Sequence, residues 1–207
     1  ALPLFHLAAF AQDFPSKRIR VVVPTAPAGG VDSVARVIAQ KLQEKWGQSV
    51  VIDNKPGAGS ILGAETVARS AADGYTLFMG HIGTHGANPA LYARLPYDPV
   101  KDFAPVSLLV SIPNLLAVHP SLGVSSVQEL ISLSIAKPDS VRVATPGVST
   151  SAHLILALFK SLTGADLTHV PYKGSVASLQ AVIAGEVQAS FDTITSIMPQ
   201  ARAGKLR

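Results

Sequence analysis

Short β-branched runs, each followed by a Gly- or Pro-rich loop and then a helical pattern, recur along this chain and constrain its fold more than any other feature. Residues 19–23 (Ile-Arg-Val-Val-Val) are almost continuously apolar, as a parallel strand buried on both faces must be. Pro24-Thr25-Ala26-Pro27-Ala28-Gly29-Gly30 follows, and then a helix over 31–46 with Val34, Ile38 and Leu42 on its inner face and Gly47 as its stop. A second unit repeats the grammar: strand 49–53, loop Asn54-Lys55-Pro56-Gly57-Ala58-Gly59-Ser60, helix 61–71, and a third strand at 75–79. Strands joined by helices require right-handed crossovers and a parallel sheet, with helices on both faces.

The texture changes over 91–118. Pro96, Pro99, Pro105 and Pro113 fall there, and the apolar runs 106–110 and 114–118 read as strands. Beyond it the α/β rhythm restarts with helices at 127–136, 151–162 and 176–184 and strands at 141–145, 167–170 and 187–191. Ser126 and Glu129 form a capping box at the start of the first of these helices, and Gly185 ends the last. Two α/β lobes, 12–112 and 113–207, joined by a Pro-rich crossing, place a cleft between them.

Composition closes off several function classes. The chain has 207 residues, 14% of them charged and 48% hydrophobic, enough to fill a core. Its 17 basic and 13 acidic residues are scattered without clusters or interleaved aromatics, so no nucleic-acid groove is expected. The absence of cysteine removes disulfides, thiolate metal sites and cysteine nucleophiles. Residues 2–10 are apolar apart from Pro3 and His6, and Ala9-Phe10-Ala11 has small residues where a signal peptidase reads. Residues 1–11 are therefore expected to be the remnant of an export signal. The competing assignment, a buried first strand or helix, fits Pro3 and the polar turn at Gln12 and Asp13 less well.

In open α/β sheets ligands sit outside the carboxyl ends of the strands, where loops feed helix N-termini. Five loops rich in Gly, Ser and Thr fall at such ends: 24–30, 54–60, 80–88, 146–151 and 171–175. They offer backbone amides and hydroxyls to an anion, aided by helix dipoles. Each could equally serve tight turn geometry alone. The glycine spacing of Gly57, Gly59 and Gly63 invites a dinucleotide reading. However, the loop follows the second strand, and no acidic residue stands at the end of the next one. His81 and His85 are four apart, but Gly80, Gly83 and Gly86 argue against the helix that would make them zinc ligands. Asp32 and Asp192 are candidate cleft carboxylates, with helix capping as the alternative for Asp32. His153 follows Ser149 and Ser151 closely enough to suggest a serine hydrolase, although the G-x-S-x-G elbow is missing. No enzyme activity, cofactor or metal is expected.

Several motifs occur together and in order: Val23-Pro24 through Ala28-Gly29-Gly30-Val31-Asp32; Asn54-Lys55-Pro56-Gly57-Ala58-Gly59; Ala72-Asp73-Gly74-Tyr75-Thr76-Leu77; Tyr97-Asp98-Pro99 with Asp102-Phe103-Ala104-Pro105-Val106; and Val170-Pro171-Tyr172-Lys173-Gly174. From about Phe14 onward the chain resembles the substrate-binding proteins of tripartite tricarboxylate transporters, the Bug receptors. The resemblance implies a two-lobed, type II periplasmic-binding-protein-like fold with parallel or mixed sheets. It implies a periplasmic, monomeric receptor that closes on a small organic acid and delivers it to membrane permease subunits or to a sensor protein. The ligand residues it implies are Pro24, Ala28, Gly29, Gly30 and Asp32, with Gly57, Gly59 and Ser60, then Thr84 and Asn88 from the first lobe. From the second lobe they are Gly147, Ser149, Thr150, Ser151 and His153, then Tyr172, Lys173 and Gly174, with Asp192 beside them. Relatives carry a Pro soon after Tyr-Lys-Gly and an aromatic in the first loop, where this chain has Ser175-Val176-Ala177-Ser178 and Thr25-Ala26. Relatives also return to the first lobe after the segment resembling Ala203-Gly204-Lys205-Leu206-Arg207, so the first lobe over 12–112 is expected to be incomplete.

Overall fold

The computed structural model describes residues 13–207, so the expected export-signal remnant at 1–11 lies outside the described residues. The first sheet has the order β2-β1-β3 and is wholly parallel. Its strands are β1 (Ile19–Val23), β2 (Val50–Asn54) and β3 (Thr76–Phe78). Ile19, Val21 and Val23 turn one face of β1 onto α1 (Gly30–Trp46), where Ala35 and Ala39 form the buried stripe. Val34 and Ile38, expected on the inner face, are only half-buried. The small side chains of Ala35 and Ala39 let the helix backbone approach the sheet, and Leu42 and Trp46 close its far end. Gly47 ends α1 in the left-handed conformation at φ 64°, its amide donating to the Gln43 carbonyl at 3.0 Å. On the other side Ile61 and Ala64 of α2 (Ile61–Ala68) pack with Tyr97, Phe78 and Phe103.

The second sheet has the order β4-β7-β5-β6. Its strands are β4 (Asn114–Val118), β5 (Arg142–Thr145), β6 (Thr168–Pro171) and β7 (Ala189–Thr193), and only the β4–β7 pairing is antiparallel. Val143 and Phe191 face α4 (Val127–Ala136) and α5 (Ser151–Thr163), which contribute Leu130 and Leu156. Ala117 and Ala144 face α6 (Ser175–Ile183) and α7 (Ile194–Arg202), which contribute Leu179, Val182 and Ile197. Side chains alternating across each strand thus build a core on both faces, the arrangement a mainly parallel sheet needs. The capping box forms: the Glu129 amide donates to Ser126 Oγ at 3.1 Å, while Glu129 Oε2 reaches the Ser125 amide at 2.7 Å.

Two expectations are corrected. Residues 106–110 form no strand; Val106 and Leu108 are 87% and 88% exposed, and no backbone partner lies beside them among the described residues. The strand read at 114–118 does form, as β4 at the edge of the second sheet. The loop 80–88 is partly helical: Gly83–Ala87 is a π-helical turn that runs into the short α3 (Asn88–Leu91).

Candidate functional site

A cavity of about 610 Å³ lies between the two sheets. The first sheet lines it through Pro24, Thr25, Gly29, Gly30, Gly57, Gly59 and Ser60, and the second through Gly147, Thr150, Ser151, Tyr172, Lys173, Gly174 and Asp192. Each group stands where a strand ends and a helix begins, so topology brings residues far apart in sequence to one space. The lobes touch around it. A Cβ built on Gly30 would lie 3.0 Å from Thr193 Oγ1, and one on Gly174 would lie 2.9 Å from Ala26 Cβ.

Four helices, α1, α2, α6 and α7, start at this cavity, and none has a side-chain cap. Gly29 and Gly30, Ser60, Gly174 and Ser175, and Thr193 mark those starts in the cavity wall, although at α7 the Thr193 amide donates to Asp192 Oδ1 and the Ile194 amide to the Pro113 carbonyl. The first amides of a helix have no intrahelical partner and carry the positive end of its dipole. α5 also starts at the cavity but is capped by Thr150, as α4, which begins away from it, is by Ser126. Among the described residues, the ionisable side chains in the wall are His81, Tyr172, Lys173 and Asp192. The space is therefore a largely apolar chamber with uncapped amides converging on it, an arrangement suited to a small anion.

Asp32 does not line the cavity; it builds the loop that does. It is 1% exposed, and its Oδ2 accepts from the Ala28 amide and from Arg36 Nε, both at 2.8 Å. Asn54 Nδ2 donates to Oδ1 at 2.8 Å and to the Thr25 carbonyl at 3.1 Å. Burial opposes the Asp32 charge, but the hydrogen bonds from Arg36, Asn54 and Ala28 outweigh it and hold its pKa below the ordinary value. Ala28 also lies off the cavity, at φ 63°, where the loop turns to bring Gly29 and Gly30 forward.

Thr84, Asn88, Ser149 and His153 likewise stand behind the wall. Thr84 and Asn88 are fully buried. Asn88 Nδ2 donates to the Gly59 carbonyl at 2.9 Å, and Tyr97 donates its hydroxyl proton to the Thr84 carbonyl at 2.7 Å. His81, which the sequence set aside with His85 as an unlikely zinc pair, lines the cavity. Its Nε2 is 3.2 Å from Ser60 Oγ and its Nδ1 accepts from the Gly83 amide at 3.0 Å. Burial first, and then the neighbouring His85, lowers the His81 pKa to about 4, so the ring is neutral.

In the second lobe Asp192 is part of the wall, with its carboxylate absorbed locally. Its Oδ1 accepts from Ser175 Oγ at 3.0 Å and the Thr193 amide at 2.7 Å, and Ser178 Oγ lies 3.4 Å from Oδ2. Burial nonetheless raises its pKa. The hydrolase arrangement does not form: Ser151 Oγ pairs with Asn114, Ser149 Oγ has no protein partner, and His153 Nδ1 accepts from the Ser149 amide. Sequence reasoning missed Asn114, Ser175 and Thr193 in the cavity wall. Ser175 closes the expected loop 171–175 and Thr193 stands two residues past the expected strand 187–191, so the helix-start rule that selected Gly30 reaches them too. Asn114 opens a strand and carried no such signal.

The family model described as "Tripartite tricarboxylate transporter family receptor" matches residues 34–207. Among curated proteins, the chain is 36% identical over 198 residues to Protein BugT of Bordetella pertussis, an alignment covering 95% of this chain and 61% of BugT. Among solved structures, Rhodopseudomonas palustris Rpa4515 with adipate superposes with a TM-score of 0.91 at 39% identity, covering 94% of this chain and 65% of that one. MatC from the same organism, with bound malate, gives 0.86 at 39% identity over 94% of this chain and 66% of that one. The chain thus spans about three-fifths of the length of BugT. The two-lobed periplasmic-binding-protein fold and the receptor resemblance stand together, and the chain belongs to the tripartite tricarboxylate transporter receptor family.

Proposed function

We propose that this protein is a solute receptor that captures a small organic acid between its two lobes without altering it. The observation that carries this reading is the convergence of the uncapped starts of α1, α2 and α6 on one cavity whose wall holds a single lysine. Neutral amides satisfy a carboxylate while leaving it releasable, as delivery requires. The adipate and malate bound to two structural relatives support the same ligand class. The lobes close on the ligand, and closure excludes water from the amides.

The receptor works in the periplasm, where the export-like segment at residues 2–10 would send it, and hands its ligand to membrane permease subunits as a monomer. A thermal-shift screen of the full chain against mono-, di- and tricarboxylates, aromatic acids and acidic amino acids tests the reading. A saturable rise in Tm with at least one class is expected. A flat response to every class would sink it.

A further inference from the structure

Ser149 combines three features that the cavity does not explain. It is 1% exposed, its φ of 65° lies in the left-handed region although it is not glycine, and its hydroxyl has no protein partner. Strained, unsatisfied residues of this kind persist where function needs them. Ser149 sits at the seam between the lobes. A Cβ on Gly59 of the first lobe would lie 3.0 Å from Ser149 Oγ and 2.8 Å from the Tyr92 hydroxyl, and one on Gly83 would overlap the Ser149 carbonyl. Two glycines thus open a notch in the first lobe into which Ser149 of the second is seated.

Behind Ser149, its amide donates to His153 Nδ1 at 3.4 Å. His153 stacks on His169 with ring centroids 4.7 Å apart, and His169 Nε2 lies 2.7 Å from Thr145 Oγ1 on β5. We propose that Ser149 is the closure latch of this receptor, seated in the Gly59–Gly83 notch and held there by His153 as a proton-sensitive positioning residue. The latch rests on the receptor reading only in that closure serves ligand capture.

The chemistry of the hold is simple. Nδ1 accepts the Ser149 amide only while it carries no proton, and an imidazolium has two donors and no acceptor. Lys160 on α5 is the cation acting on His169. Asp139 touches the neighbouring Thr168 hydroxyl at 3.2 Å, and across the seam stand Tyr92 and the neutral His81. Burial lowers the His153 pKa; burial, then His153 and Lys160, lowers that of His169 to about 4. The latch therefore holds where His153 is neutral, at and above the ordinary imidazole range, and loosens where acid protonates it.

The chain has no cysteine, so cysteines placed at the exposed positions Val37 and Leu158 carry a clean pair of spin labels across the lobes. Inter-label distances in the full chain at pH 7.5, with and without 10 mM adipate, should contain a short, closed component in at least one condition. Gly59→Ala, and independently Gly83→Ala, should deplete that component at least fivefold. Ligand-free wild type should lose it on going to pH 4.5 while His153→Asn, whose amide oxygen accepts but does not titrate, keeps it, with circular dichroism reporting that both remain folded.

Using both glycine variants guards against one that fails to fold, since Gly83→Ala also crowds the His81 ring. No short component in wild type under either condition, a distribution unchanged by both glycine variants, or identical acid responses of wild type and His153→Asn would overturn the latch. Adipate that moves nothing, while the glycine variants still deplete the closed component, would count against the organic-acid reading alone.

Discussion

Asn54 at the end of β2 reaches across to Asp32 in the first turn of α1, its Nδ2 lying 2.8 Å from Asp32 Oδ1. With the Asn54–Thr25 hydrogen bond, this contact ties loops 24–30 and 54–60 of the first lobe together, because the same carboxylate also holds the Ala28 amide and Arg36. Asp32→Ala leaves the Ala28 amide without its acceptor and takes one partner each from Asn54 and Arg36, and about 2–3 kcal/mol of stability should be lost. Asp32→Asn should cost less, since it keeps the shape and one acceptor. Urea unfolding of the three proteins, read as a change in midpoint at constant slope, checks the order.

The acid response of stability follows from two histidines kept neutral by burial. His81 and His169 have folded-state pKa values of about 4, below the ordinary 6.5. The unfolded chain therefore binds more protons than the fold between those values. Their contribution is fully present above pH 6.5 and is lost as pH falls toward 4. Asp192, whose pKa is raised, acts in the opposite sense: its contribution at low pH is lost as pH rises through its folded value. Melting temperature against pH should slope downward below 6.5 in wild type, and His81→Gln should flatten part of that slope. A profile level from 7 to 4.5 would contradict the neutral-histidine assignment.

The lobes meet closely at Gly30 and Thr193. Adding a methyl group at Gly30 brings it within 3.0 Å of Thr193, so Gly30→Ala should weaken organic-acid binding about tenfold by holding the lobes apart. Pairing it with Thr193→Ala removes the obstruction and should restore most of the affinity. Failure of the double variant to recover would place the Gly30 effect elsewhere than this contact.

Stability and binding separate at the α4 cap. Ser126 accepts from the Glu129 amide at 3.1 Å, away from the cavity wall. Ser126→Ala should cost about 1 kcal/mol, a Tm drop of roughly 2–4 °C for a chain this size, with ligand affinity unchanged.

Much of this architecture was legible because local signals agreed with the global fold. The run 19–23, the capping box at Ser126 and the glycine stops at 47 and 185 each had a local cause that survives packing. Residues 106–110 did not, since a β-branched run specifies a strand only when a neighbour accepts its hydrogen bonds, and Val106 and Leu108 face solvent. Helix α7 was unreadable for a different reason: Pro199 interrupts it, and only Ile197 is buried. At the site, glycine loops at strand ends marked the cavity correctly in outline. Asp32, Thr84, Asn88, Ser149 and His153 have the same polar side chains as wall residues but stand one layer behind, and that distinction depends on backbone turns such as Ala28 at φ 63° and Ser149 at φ 65°.

The central claim is that backbone amides, and not the exposed Lys173, hold an organic acid between the lobes. Titration calorimetry with the tightest-binding acid, on wild type, Gly30→Val and Lys173→Ala, tests it directly. The account predicts that Gly30→Val abolishes measurable binding, whereas Lys173→Ala weakens it by only about two- to fivefold, the scale of an exposed charge. Lys173→Ala proving the more damaging of the two would contradict it.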